Sequence, residues 1–236
     1  MVIFRTLGRP LCGLALLLAL PAWSAEAPAH LTLVRSLLGS LSAGASHYQH
    51  QSQITWPDSG KATAYTDCSG LVNGLLSRTQ PKLLASLRSR AGREPQAIHY
   101  FQAVAENQGF QAVTRVQNLQ PGDLIVIRNP PEDDDTGHIM IVDEAPVESG
   151  GSSPPKVPGT YQWQVKVIDS SKSAHGPRDS RALPGGNANG VGRGTIRLYA
   201  DLNGVPLGYT WSTLPVSDYI PQASKALLMG RIQAQP

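Results

Sequence analysis

The chain has only two cysteines in 236 residues, and Cys12 lies inside an N-terminal segment with the layout of an export signal. Removal of that segment leaves Cys68 alone, which excludes an internal disulfide framework. A strong charge of either sign is also missing. The formal net charge of +3 includes Arg5 and Arg9, so the remainder carries about +1 and shows no footprint for nucleic acid or an acidic membrane. No apolar run is long enough to cross a bilayer comfortably, since Leu11 to Leu20 falls well short of the roughly 20 residues a span needs. There is no internal repeat and no evident pair of carboxylates arranged for glycoside cleavage. His47 and His50 have a weak metal-ligand spacing, but no further ligand follows at a recognisable interval, so neither metal nor cofactor is expected. Gly190-Val191-Gly192-Arg193-Gly194 precedes no helix, which removes a phosphate-cradling reading.

Residues 1–24 read as a signal peptide: two arginines, the apolar run, Pro21, then the small residues of Ala22-Trp23-Ser24-Ala25. The protein is therefore expected to be exported, to the periplasm or beyond, with no membrane span after signal removal. Residues 25–236 are enough for one domain with a full core.

Helical periodicity runs over 29–42 (Leu31, Val34, Leu37, Leu38, Leu41), from Cys68 to about Ser77, from Pro81 through Leu87, and over 95–107. The period then changes to two. Strands are predicted at 112–117, 123–128, 138–144, 162–169, 195–200, 207–212 and 226–232. Helices first and strands afterwards predict an α+β fold, with N-terminal helices packed on an antiparallel sheet. The stretches 146–159 and 171–194 read as long loops, of the kind that carry specificity on a rigid scaffold.

Tyr65-Thr66-Asp67-Cys68-Ser69-Gly70 runs straight into the helix that carries Leu71, Val72, Leu75 and Leu76. Thr66 or Asp67 as N-cap puts Cys68 in the first turn, where unpaired N–H groups favour an anion. A free thiol is only about 3% thiolate at neutral pH, so that placement has chemical weight. Asp67 opposes it unless its carboxylate turns away, towards backbone donors or substrate. The competing reading is a buried structural cysteine. A nucleophilic thiol needs a base, and His138 opens an apolar strand from which a ring can face a cleft. The acidic run Glu132 to Asp135 just before it reads as a solvated loop, or else as a negative lip attracting an amine-bearing substrate. His175, in Ser173-Ala174-His175-Gly176, competes for a place near the site.

Asp-Cys-Ser-Gly opening a helix, Pro121-Gly122-Asp123-Leu124 before a strand and Gly137-His138 opening the next strand together resemble the NlpC/P60 cysteine peptidases and their CHAP-type relatives, papain-like cell-wall hydrolases. The resemblance covers about residues 44–170 and leaves the strands and loops of 171–236 outside it. It implies Cys68 as nucleophile, His138 as general base and then acid, and Asp169, at the end of the following strand, as the residue that orients the imidazole. It further implies that Tyr48 faces the oxyanion and that Asp67 and Ser69 grip a stem peptide, although packing would explain Tyr48 and helix capping the other two. The function it implies is an exported cysteine amidase or peptidase acting on cell-wall peptide. The alternatives are a binding module with an idle cysteine, a papain-like acyltransferase, or a hydrolase of another amide.

Overall fold

Leu124-Ile125-Val126-Ile127 has no polar alternation because both of its faces are covered, and it lies near the middle of the molecule. A computed structural model describes residues 26–149, 153–183 and 186–233, so the signal-peptide expectation lies outside the described residues. Four helices come first: α1 (Ala29–Ser40), α2 (Cys68–Thr79), α3 (Pro81–Ala91) and α4 (Ala97–Ala105). Between α1 and α2 lie three short strands, β1 (Ser46–His47), β2 (Gln53–Thr55) and β3 (Thr63–Tyr65), which form a small sheet of their own. The later strands are β4 (Phe110–Ala112), β5 (Leu124–Arg128), β6 (Gly137–Val142), β7 (Val147–Glu148), β8 (Tyr161–Ser171), β9 (Ala182–Leu183), β10 (Gly186–Asn187), β11 (Gly190–Ala200), β12 (Pro206–Thr210), β13 (Tyr219–Pro221) and β14 (Ala226–Ile232).

Among the described residues the main sheet has the order β13-β12-β11-β8-β6-β5-β14-β4, with β7 also on β8, and every pairing in it is antiparallel. The architecture is thus α+β, with the helices on one face. Period-two alternation sorts the side chains. Leu124, Val126, Ile139, Ile141 and Ile168 pack with Leu31, Leu71, Leu75, Tyr100 and the rest of the helical core. Ile125, Ile127, Met140, Val142, Val165 and Val167 form a second cluster on the opposite face with Val116, Leu198 and Tyr209. Among the described residues no helix is long and apolar enough to cross a membrane.

Several boundaries differ from the sequence expectations for identifiable reasons. The strand expected at 112–117 begins at Phe110, because positive-φ Asn107 and Gly109 turn the chain immediately after α4. Its second half becomes a 3-10 turn, Val116–Asn118. The loop expected at 171–194 is shortened from both ends, since β8 and β11 run eleven residues each and pair over their whole lengths. The Pro-Gly-Asp-Leu turn has a structural explanation. Asp123 accepts from Gln120 N at 2.8 Å and ion-pairs with Arg231 Nε at 2.8 Å, while Gly122 O accepts from His30 Nε2 at 2.7 Å.

Candidate active site

Asp67 is the N-cap of α2. Its Oδ1 accepts from Gly70 N at 2.6 Å and from Ser69 Oγ at 3.0 Å, and its Oδ2 lies 3.2 Å from His50 Nδ1. The carboxylate is thus turned onto the helix start and leaves the sulfur of Cys68 to other partners. Capping accounts for both Asp67 and Ser69. Cys68 occupies the first helical position, where its own N–H has no acceptor within the helix. Gly70 is required by space: a Cβ there would lie 1.7 Å from Ser52 Oγ and 2.5 Å from Thr66 Oγ1.

The β6–β8 ladder pairs Ile141 with Ile168 and Val142 with Val167 and goes no further, which leaves His138 and Asp169 beyond its last rung. Gly137 aims the histidine. It adopts φ +143°, and a Cβ would lie 1.9 Å from Ile127 O, so the chain enters β6 by a path open to glycine alone. His138 donates from Nε2 to Asp169 Oδ2 at 2.6 Å, and its side chain lies beside Cys68, whose charge acts on the ring. Ser170, on the opposite face of β8 from Asp169, donates to Thr66 O at 2.6 Å. The strand bearing Asp169 is thereby tied to the turn bearing Cys68.

Burial pulls the His138 ring towards neutrality, but the negative charge of Cys68, followed by the hydrogen bonds to Asp169 and Cys68, overcomes this and pushes its pKa up to about 10. A histidine raised in this way stabilises the fold fully below its unfolded value near 6.5, and that contribution fades as pH rises towards 10. Burial pushes Asp169 the other way, towards the neutral acid. His175 and Arg181, and then the histidine hydrogen bonds, outweigh it and hold the carboxyl well below the usual range.

The neighbours of Asp169 come from the segment expected to be a loop. Its Oδ2 also faces His175 Nε2 at 3.0 Å, and its Oδ1 lies 2.8 Å from Arg181 Nη2. Arg181 in turn grips Asp179, with Nε to Oδ1 at 2.9 Å and Nη2 to Oδ2 at 2.7 Å. Gly190, Gly192 and Gly194 alternate along β11 on the face that carries Asp169, and Gly192 pairs directly with it. A Cβ on Gly192 would lie 2.4 Å from Arg181 Nε, and one on Gly194 would lie 2.3 Å from Asp179 Oδ2. Gly192 and Gly194 clear a trough in which residues 175–181 lie against the strand, while Gly190 makes room for Ser46 and His47. Trp211 closes it, with its ring centroid 4.2 Å from that of His175 and 5.1 Å from that of His138.

Tyr48 lies close enough to Cys68 for burial, and then the charge on the sulfur, to drive its hydroxyl pKa strongly upward. It lines a cleft of about 260 Å³ together with Cys68, Asp67, Ser69, Asp134 and Asp135. Two members of the acidic run therefore border the cleft, and Asp135 is bridged to Lys172 at 3.3 Å. A larger groove of about 740 Å³ continues along α2, sharing His50, Asp67, Ser69 and Gln96 with the cleft and bordered further on by Trp56 and Arg93. Among the described residues no group of three or more His, Cys, Asp or Glu is arranged to hold a metal ion.

Of the residues named from the sequence, Tyr48, Asp67, Cys68 and Ser69 line the cleft, and His138, Asp169 and His175 form a chain of contacts behind it. Arg181 and Asp179 are not singled out by the sequence. The alternating glycines of β11 were the available signal for the trough. No family model matches the chain, and no solved structure matches it. A protein of Acanthamoeba polyphaga mimivirus, described as uncharacterized, is 34% identical over 222 residues, a match covering 87% of this chain and 96% of that protein. With identity at that level across nearly the whole of the viral protein, the chain belongs to the same family as this mimivirus protein.

Proposed function

We propose that this protein is a cysteine amidase or peptidase of the papain-like, NlpC/P60 type, exported and acting on the peptide stems of cell wall. One observation carries the reading: a thiol at a helix start lies beside a histidine whose Nε2 donates to a buried carboxylate at 2.6 Å. In the cycle, Cys68 Sγ attacks the amide carbon as thiolate, and the developing oxyanion is met by the Cys68 N–H and the Tyr48 hydroxyl. The His138 imidazolium gives its proton to the leaving amine as the C–N bond breaks and a thioester remains. Neutral His138 then takes a proton from water, the hydroxide displaces the sulfur, and the acid product leaves behind the thiolate and imidazolium. Asp169 holds the ring orientation throughout.

Incubation with purified muropeptides is expected to release peptide fragments and new amino groups but no new reducing sugar ends. Mass spectrometry of the products checks this, and reducing ends alone would contradict the amidase reading. One observation favours a rival. Cys68 is only 5% exposed, as an idle packing thiol in a binding module would be. Stoichiometric alkylation of Cys68 by iodoacetamide at neutral pH separates the two, because an inert thiol stays unmodified.

A further inference from the structure

Asp169 has a second histidine on the same oxygen that receives the proton-bearing nitrogen of His138. His175 Nε2 lies 3.0 Å from Asp169 Oδ2, while its Nδ1 lies 2.8 Å from Trp211 O. A carbonyl oxygen and an ionised carboxylate both only accept, so both ring nitrogens of His175 face acceptors, an arrangement that only a donor on each nitrogen satisfies. Arg181 supplies a second cation. Two buried carboxylates, Asp169 and Asp179, are thus matched by two buried cations before His138 is counted, and His138 is left to balance Cys68. Assembling such a cluster is costly, since desolvation takes several kcal/mol per ion and apolar packing is often as stable. Here it also takes two side-chain positions of β11, the glycines at 192 and 194. A purely structural ion cluster has no need to aim a second donor at the oxygen that orients His138.

We propose that His175 and Arg181 are positioning residues of the site, which clamp Asp169 from behind and offset its charge so that His138 is oriented yet free to give up its proton. This rests on the cysteine-hydrolase reading above. With both in place the carboxylate cannot rotate, because each oxygen is engaged. With its charge already matched, it does not trap the proton that the leaving amine requires. The charged and titratable groups around the pair are Cys68 from α2, Tyr48 from the small sheet, Asp135 from the β5–β6 loop, Asp169 from β8, and His175, Arg181 and Asp179 from the segment before β11. Removing the His175 cation takes a like charge away from the His138 ring, which moves its deprotonation to higher pH.

The test has three measurements on the full chain. In the wild type, nitrogen-15 NMR of labelled histidines at pH 7 is expected to show protons on both His175 nitrogens. His175→Gln is expected to lower kcat about 10- to 100-fold with KM within about twofold, and to move the alkaline limb of the pH–rate profile up by about one unit. Iodoacetamide alkylation of Cys68, which needs no substrate, should show the same displaced limb. Arg181→Lys, which keeps the charge, should retain at least about tenfold more activity than Arg181→Met. A singly protonated His175, or a His175→Gln protein whose alkylation profile coincides with that of the wild type, would overturn the proposal. If the variants do not fold, the wild-type spectrum decides. If no wall peptide is cleaved at all, the hydrolase reading fails separately, while the spectrum and the alkylation profile still judge the clamp.

Discussion

Cys68→Ala is expected to leave the fold standing and to abolish hydrolysis, with a loss of about five to six orders of magnitude in kcat. The effect is this large because no other thiol exists among the described residues. The structural cost is small: the change removes one sulfur from a side chain already 5% exposed and leaves the Asp67 cap intact. The sulfur's charge is also the foremost influence holding His138 protonated, so the ring should titrate at lower pH in the variant. Thermal melting and a hydrolysis assay on the same preparation check both halves. Activity that survives in a folded Cys68→Ala protein would end the cysteine-enzyme reading.

Asp169→Asn should cost two to four orders of magnitude in kcat/KM with KM little changed. The substitution is nearly isosteric, but its donors and acceptors do not match the site. Oδ2 accepts from two histidine nitrogens and Oδ1 is ion-paired with Arg181, so no partner can accept from the residue. An amide offers one accepting oxygen and an NH₂, which must point either at the guanidinium or at the two imidazoles. In either pose a buried donor faces a donor. The fold loses stability as well, and in a pH-dependent way. A carboxylate whose pKa is depressed by folding contributes fully above its unfolded value near 3.9 and loses that contribution as pH falls. The variant's stability should therefore fall less steeply on acidification than the parent's, which denaturant titrations between pH 3 and pH 7 would show. His175→Ala should lose less activity than Asp169→Asn, since His138 keeps its carboxylate. The opposite ranking would make His175 the principal orienting group.

The parts of this site that were legible in the sequence are those whose cause is local. A capping aspartate, a thiol and an apolar helical face lie within ten residues and state their own geometry. The glycine before His138 and the aspartate near the end of β8 are likewise fixed by their own strands. Arg181 and Asp179 were not legible because nothing near them is periodic; they matter only once β11 lies beside β8 and its glycines open the trough. The small sheet of β1, β2 and β3 escaped notice for a related reason. Its strands are two or three residues long, too short for alternation to register, and β1 pairs with β3 in parallel from far along the chain.

The link from Ser170 to Thr66, together with the pairing of Gly192 with Asp169, has a consequence for how the protein is made. On the cysteine-hydrolase reading, the proposed nucleophile lies in the first third of the chain, its base and orienting carboxylate some 70 to 100 residues later, and the strand that clears the trough later still. Cys68 is therefore synthesised long before its partners. On the same reading, chemical competence waits for β11 to pair with β8 and bring residues 175–181 onto Asp169.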